Sequence, residues 1–562
     1  MNQMNGAEAL VHMLRGHGVD YIFGLCGDTS LPFYDALHRL NHGMTHILSR
    51  DERSAAYMAD GYARGSGKVG VCEGPSGGGA TYIAPGLVEA NESSVPILAI
   101  TTDIGIGSRG RYALTELDQL ALFRPLTKWN GVIERSEDVP KMLRTAFREM
   151  TTGRPGSAHL ALPFDVQNGS VDPADIWHDE GLGRYPAWPA GPDPMAVEKM
   201  AQVILAARNP VILCGGGVVI AGAEGALIRL AEQLEIPVAT TVSGKGSIPE
   251  DHPLAVGVVG SNGGVPETRR FMEKADLILM IGCRAGSVTT ERWRYPSPGN
   301  VTITHIDSDP SVIGANYPTE AVLVSDAKLA LLALNSAIGA PSPPVRDLDQ
   351  ATVSAAKNSK FKKFHVLAKS EERPILPERL IAALSELLED SAVVIADPGT
   401  PCPYLSAYYP VLRAGRQFFS NRAHGALGYS LPASVGAYYG RPGAKIVAVM
   451  GDGSFGFNAG ELETVVRLGL PITFVVISNG VFGWIKAGQK SGFEERYFSV
   501  DFSTTDHARV AEVYGLKTWR VEEPSELRVK LAAALNCSGP ALIDVICQPL
   551  QEANAPVSEW VA

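Results

Sequence analysis

At 562 residues the chain exceeds what one hydrophobic core organises, so several domains are expected. Its 45% hydrophobic and 19% charged residues, with 59 glycines, exclude a disordered or fibrous protein and suit a multidomain α/β one. Against 60 acidic residues stand 49 basic ones without a basic run, and the net charge of −11 argues against nucleic acid and anionic membrane as partners.

The opening stretch, MNQMNGAEALVHMLRGHGVD, has an amphipathic helical pattern without the apolar core of an export signal. No later stretch offers the ~20 apolar residues of a bilayer span. Seven cysteines, scattered and without CxxC spacing, indicate neither a disulfide framework nor a zinc site, and a reducing cytoplasm is the expected location. Over residues 1–170 the apolar runs YIFGL, KVGVCEG, PILAITT and AHLALP alternate with helical patterns, as in a parallel sheet with crossover helices. A linker rich in Pro, Gly, Trp and Asp follows, and residues 190–340 repeat the alternation with NPVILCGGG, IPVATTV, ADLILMIGCR and VTITHID. The break IGAPSPPVRDLDQ leads into a third block over 370–550, with SAVVIADPG, AKIVAVMGDG, PITFVVISNG and PALIDVICQ as strands. A tail, 551–562, is placed to cover a site. The expected fold is α/β, with three doubly wound parallel-sheet domains. GLVEANESSVPILAITT and ELETVVRLGLPITFVVIS echo each other and hint that the first and third blocks are duplicates.

The most informative segment is GDGSFGFNAGELETVVRLGLPITFVVISNG, from Gly451 to Gly480. A strand ends at Gly451, a helical pattern runs from about Asn458 to Leu468, and a second strand ends at Asn479. Ligands of parallel α/β sheets sit at the carboxyl ends of strands, so Asp452 and Asn479 are expected to meet. A carboxylate, an amide oxygen and a backbone carbonyl are hard oxygen ligands of the kind Mg²⁺ takes beside phosphate oxygens and water. Gly451 and Gly453 let the backbone come close to phosphate. The plain alternative is a tight turn whose Asp caps a helix; the Asn at the next strand end favours the metal reading.

This motif resembles the thiamine diphosphate signature of the superfamily of acetolactate synthases, benzaldehyde lyase, oxalyl-CoA decarboxylases and pyruvate decarboxylases, in which GDG is followed at a distance by NN. Here the pair is Ser478-Asn479. The resemblance implies Asp452, Asn479 and the carbonyl of Val481 as Mg²⁺ ligands, and Ser454 among the cofactor-binding residues. SRDERSAAYMADGYARGSG is similar to the family's HEQ-and-helix pattern, which places Glu52 at the carboxyl sharing a proton with N1′ of the thiamine pyrimidine. By itself Glu52 reads equally as a surface carboxylate at a helix start. FGLCGDTSLPFYDAL resembles the loop that reaches over the reacting centre, and so implies Gly27 and Asp28 there. CEGPSGGGATYIAPGLVEA resembles TSGPGATN, with Gly78 in place of its Pro. HGALGYSLPASVGA resembles GTMGFGLPAAIGA, with Gly425 in the turn and Leu427 at the apolar residue wedged under the thiamine. ADPGTPCPY places Gly399 and Thr400 at a diphosphate-contacting turn. VILCGGG, GKGSIPEDHP, GCRAGS and HIDSDP resemble a central domain that holds FAD or an ADP-containing group, with Arg284 and Asp307 at the matching positions.

The resemblance implies an enzyme that makes or breaks a carbon–carbon bond next to a carbonyl, but no subfamily is matched residue for residue. Asp28 stands where pyruvate decarboxylases carry a proton-relay Asp, and their His pair is absent. Thr115 stands where the synthases carry a substrate-orienting Gln. The leading expectation is decarboxylation of a small 2-oxo acid with carboligation, with Glu52, Asp28 and Thr115 as the reacting side chains and Phe482, Trp484 and Ile485 as apolar walls. The alternative is a lyase acting on 2-hydroxyacyl-CoA thioesters or acyloins; a remote one is a non-catalytic nucleotide-binding protein. Expected partners are a small carbonyl substrate, with a CoA thioester as the alternative, and further copies of the chain in a homodimer or homotetramer with active sites at the subunit interface.

Overall fold

The structure is a computed structural model that describes residues 4–339 and 346–560; residues 340–345, inside the second expected break, and the two chain ends lie outside the described residues. Three six-stranded sheets, all parallel, carry the fold. The first contains β1 (Tyr21–Gly24), β2 (Thr45–Leu48), β3 (Gly70–Gly74), β4 (Ile97–Asp103), β5 (Trp129–Val132) and β6 (Ala158–Pro163), in the order β2-β1-β3-β4-β6-β5. The central sheet contains β7 (Pro210–Cys214), β8 (Val238–Thr240), β9 (Ala255–Val258), β10 (Leu277–Ile281), β11 (Thr302–Asp307) and β12 (Ala321–Val324), in the order β9-β8-β7-β10-β11-β12. The third contains β13 (Val393–Ala396), β14 (Phe418–Ser420), β15 (Ile446–Gly451), β16 (Thr473–Ser478), β17 (Lys517–Val521) and β18 (Ala541–Ile546), in the order β14-β13-β15-β16-β18-β17.

The first and third sheets thus share one strand order, which supports the echo in the sequence. Each sheet also has a point where the order reverses, and there the loops at the carboxyl ends of two neighbouring strands part and leave a crevice. These reversals fall between β1 and β3, β7 and β10, and β13 and β15. Inner strands such as Leu277–Ile281 and Ile97–Asp103 are buried along their whole length, as expected for sheets covered on both faces. The long helix Gln350–Ala368 follows the second break, where the sequence shows no apolar stripe to announce it.

By contacts the chain divides into two compact units. One is Met1–Trp188 with Asn421–Gly443 and Asn458–Leu470; the other is Pro189–Ser420 with Ala444–Phe457 and Pro471–Ala562. In the first unit, α1 (Leu31–Arg39) follows β1, α2 (Glu52–Ser66) follows β2, α3 (Gly78–Glu92) follows β3, and α4 (Ser430–Gly440) packs on α2. Small residues set that approach. A Cβ on Gly61 would stand 2.1 Å from the carbonyl oxygen of Ala433, and one on Gly436 only 1.8 Å from that of Met58. Backbone cannot yield as a flexible side chain does, so Gly436→Ala is expected to destabilise by about 1–3 kcal/mol through overpacking. Urea unfolding of the purified variant measures this; an unchanged midpoint would mean that the helix pair tolerates a wider spacing.

In the second unit the tail is docked. The amide of Gly263 donates to the carbonyl of Pro556 (2.9 Å), the amide of Ser558 to that of Ser261 (3.1 Å), and the Ser558 hydroxyl to Glu291 (2.7 Å). Trp484 Nε1 donates to the carbonyl of Trp560 (3.0 Å), and the two rings meet edge to face at 5.2 Å.

Candidate functional site

The crevice of the first sheet gathers five of the residues singled out from the sequence. Asp51 caps α2 by accepting the amides of Arg53 (2.7 Å) and Ser54 (3.4 Å), so the first helical residue, Glu52, is turned in at the end of β2. It is 7% exposed. Its neighbours are glycines for a steric reason: a Cβ on Gly74 would lie 3.1 Å from Glu52 Cγ, and one on Gly79 2.9 Å from Glu52 Oε1. Burial pushes the carboxyl above the usual range; the bond to its own backbone opposes this, and the charges of Asp51 and Glu73 add to it. Gly27 lies in the loop after β1, packed on Pro75, and exposed Asp28 accepts the amide of Thr29 (2.9 Å). Gly78 opens α3 with free space on its side-chain face.

Thr115 comes from the loop after β4 and has a left-handed backbone, φ 69°. Its hydroxyl is 2.7 Å from Ser76 Oγ; Ser76 Oγ is 3.2 Å from Thr29 Oγ1, which is 2.8 Å from Thr102 Oγ1. This chain of hydroxyls ties the loops of Asp28, Gly78 and Thr115 together. Sequence reasoning found the loops but not the hydroxyl chain, because serine and threonine in a glycine-rich loop carry no signal of their own.

Also in the first unit, the loop that carries Gly425 (φ 72°) and half-buried Leu427 is pinned along its length. Asn421 Nδ2 donates to the carbonyl of Ala426 (2.6 Å), and Asn458 Nδ2 to that of Gly428. Glu89, fully buried on α3, accepts the amide of His424 (2.8 Å), while Tyr429 OH donates to Asp60 (2.5 Å). Arg64 joins the two carboxylates, at 2.7 Å from Asp60 and 3.2 Å from Glu89. Glu89 was not foreseen; an acidic residue in an otherwise apolar helix face was the available signal.

In the second unit, Gly399 (φ 88°) and Thr400 follow β13 and Gly451 closes β15, the two strands that flank the crevice of the third sheet. Asp452 begins α5 (Asp452–Asn458), earlier than the helical pattern in the sequence suggests. Its Oδ2 accepts the amides of Asn479 and Gly480, both at 2.7 Å, and its Oδ1 that of Gly453 (2.8 Å). Burial raises its pKa and those backbone amides oppose the rise. A carboxylate offers about four acceptor positions, so one remains for a cation. Asn479 Oδ1 is buried and has no hydrogen-bond partner. Val481, 6% exposed, bridges to Asp501, and the Phe482 ring lies over Gly453 with buried Ser454 beyond it.

The preceding residue, Ser478, replaces an amide with a hydroxyl network: Oγ donates to Asp544 (2.5 Å) and lies 3.0 Å from His507 Nδ1, and Arg520 pairs with Asp544 at 2.9 Å. Among the described residues no three His, Cys, Asp or Glu side chains could hold a metal together. A cation at Asp452 must therefore take amide and backbone oxygens, and the orphaned oxygen of Asn479 fits that requirement. Open space beside Gly399 and Gly451 fits a ligand approached by backbone.

In the central sheet, Gly215 to Gly217 follow β7, Arg284 lies three residues beyond β10, and Asp307 ends β11, all at the carboxyl edge. Glu494 and Glu495 are solvated, Glu494 pairing with Arg496 at 2.5 Å. No helix among the described residues is long and apolar enough to cross a membrane.

Comparison with known proteins gives three matching family models. The thiamine pyrophosphate enzyme N-terminal TPP binding domain matches residues 4–122, the central domain 197–334, and the C-terminal TPP binding domain 397–545. A probable acetolactate synthase large subunit of Methanocaldococcus jannaschii is 35% identical, over 98% of this chain and 93% of its own. The acetolactate synthase isozyme 3 large subunit of Escherichia coli and the acetolactate synthase large subunit of Haemophilus influenzae are each 32% identical, over 95% of this chain and 93% of theirs.

Proposed function

Since the chain belongs to the thiamine pyrophosphate enzyme family and is an acetolactate-synthase-like, thiamine-diphosphate-dependent enzyme, we propose that it decarboxylates a small 2-oxo acid and joins the remaining fragment to a second carbonyl compound. The observation that supports the cofactor site most directly is the buried, unpartnered oxygen of Asn479 beside Asp452. Asp452, Asn479 and the carbonyl of Val481 would hold Mg²⁺, whose charge would offset that of the diphosphate. Gly399, Thr400, Gly451, Gly453 and Ser454 approach that group closely.

When bound, thiamine diphosphate supplies a carbon nucleophile for the substrate carbonyl and takes up the electron pair that departing CO₂ leaves. Glu52 would hold a proton at N1′ of the pyrimidine, and its burial raises the carboxyl's pKa in favour of the protonated form. Leu427, with Gly425 in its turn, would support the thiamine, and Gly27 and Gly78 would leave room for it. Asp28 would supply the proton that the oxygen of the second carbonyl compound takes up as the new carbon–carbon bond forms, and Thr115 would orient the substrate carbonyl; Phe482 and Ile485 exclude water. The test is CO₂ and acyloin formation from a panel of 2-oxo acids, beside cleavage of 2-hydroxyacyl-CoA thioesters and acyloins. Activity confined to the second group would replace this reading with the lyase.

We further place the working site at the interface of a homodimer, or of dimers paired as a tetramer, with Glu52 from one copy and Asp452 from the other. Leu31, Tyr82 and Leu114, 61%, 60% and 85% exposed on elements that flank the crevice of the first sheet, are apolar surface for a second copy to cover. Mixing Glu52→Gln with Asp452→Ala protein under subunit exchange should restore part of the activity that each lacks. A fully active monomer in sedimentation would overturn this arrangement. FAD or an ADP-containing group is assigned to the crevice of the central sheet near Arg284 and Asp307, to be read from the absorbance and mass spectrum of ligands released on denaturation. The seven unpaired cysteines support a reducing cytoplasm as its location.

A further inference from the structure

We propose that Glu73, clasped by Tyr34 and His46 behind Glu52, is a positioning residue that keeps the Glu52 carboxyl protonated; this rests on the reading of Glu52 given above. Glu73 is the charged exception in β3, 1% exposed between the buried residues Cys72 and Gly74. Its strand partner on β1 is Gly24, where a Cβ would stand 2.1 Å from Glu73 Oε1, so β1 gives up a side chain to seat this carboxyl. Tyr34 OH, from α1, donates to Oε1, and His46 Nε2, from β2, lies 3.0 Å from the Tyr34 oxygen and 3.3 Å from Oε1. Glu73 Oε2 is buried without a hydrogen-bond partner.

A buried carboxyl with one oxygen unserved costs stability that Leu or Met at this position would not. Its use must therefore lie in its charge. Gly74, against which the Glu52 side chain packs, is the next residue, so the two carboxyls are near neighbours. The groups that face them are Asp51 at the start of α2, the Cys72 and Cys26 thiols, Tyr34 and His46. Only His46 among these can carry positive charge, and it faces Glu73. Arg53, the nearest cation by sequence, pairs with Asp51 at 3.3 Å. Two neighbouring carboxyls resist double ionisation. Burial raises the pKa of both Glu73 and Glu52, and only Glu73 has side-chain donors that oppose the rise. Tyr34 and His46 supply those donors to Glu73, which leaves the proton to Glu52. The His46 side chain is 20% exposed.

The test is a ¹³C-glutamate titration of cofactor-free protein, with the Glu52 carboxyl identified by its loss in Glu52→Gln. Glu73→Gln should lower the Glu52 midpoint by about one pH unit, a tenfold shift in its protonation equilibrium. Glu73→Asp should largely restore it. Tyr34→Phe, which withdraws a donor and is less invasive should Glu73→Gln not fold, should move the midpoint in the same direction by less. In the enzyme loaded with thiamine diphosphate and Mg²⁺, the alkaline limb of the kcat profile should shift down in parallel. A Glu52 midpoint unmoved in whichever of Glu73→Gln and Tyr34→Phe folds overturns the proposal even if Glu52→Gln is inactive. Full turnover by Glu52→Gln would instead fault the reading of Glu52, while the cofactor-free titration still decides the carboxyl pair.

Discussion

Glu52→Gln is expected to lower kcat by about a hundredfold or more while leaving thiamine diphosphate affinity nearly unchanged. Glutamine keeps the shape that Gly74 and Gly79 accommodate, and it still hydrogen-bonds, but it cannot hold and return a proton. The fold has little reason to suffer, because Glu52 caps nothing: that task belongs to Asp51. Calorimetric titration of cofactor beside steady-state turnover separates the two effects. Unchanged turnover would remove Glu52 from the chemistry; lost binding with lost turnover would make it a binding residue.

The second large effect is metal-linked stability. Thiamine diphosphate with Mg²⁺ should raise the melting temperature, and EDTA should return it to that of the bare protein. A ligand of the folded state at a hundred times its dissociation constant adds about 2.7 kcal/mol. Asn479→Ala is the sharper probe of the ion. Its Oδ1 has no partner to lose, so the bare protein should melt nearly as before while the Mg²⁺-dependent increment disappears. Asp452→Ala should also lower the melting of the bare protein, because the amides of Gly453, Asn479 and Gly480 lose their acceptor. An Asn479→Ala protein that keeps its full metal-dependent increment would exclude the amide as a ligand.

The inner strands of every sheet were legible in the sequence and the outer ones were not. YIFGL, KVGVCEG, PILAITT and AHLALP are the four inner strands of the first sheet, and the unread Thr45–Leu48 and Trp129–Val132 are its two edges. The same holds for Ala255–Val258 and Ala321–Val324, and for Phe418–Ser420 and Lys517–Val521. A strand covered on both faces must be apolar throughout and stands out as a run. Most of these edge strands are short or half solvated, and KTWRV and THIL carry polar residues that dilute the signal. The site divides in the same way. Glycines and carboxylates at strand ends are set by local geometry and show in the sequence. The groups clustered near Glu52, namely Glu73 with Tyr34 and His46, and Glu89 at the Leu427 loop, come from different elements and meet only when the sheet and its helices assemble.

The shared strand order of the first and third sheets bears on descent. Two sheets that reverse direction at equivalent strands are what a doubled gene leaves behind after its halves diverge. In the older protein a single sheet would have offered one set of strand-end loops, and a pair of identical chains would have presented that set twice. Under the proposed assignment, divergence would have given a proton-holding carboxylate to one copy and a cation-binding turn to the other. On this view Glu52, after the edge strand β2, and Asp452, after β15, whose counterpart in the first sheet is β3, descend from different strand ends of one ancestral crevice.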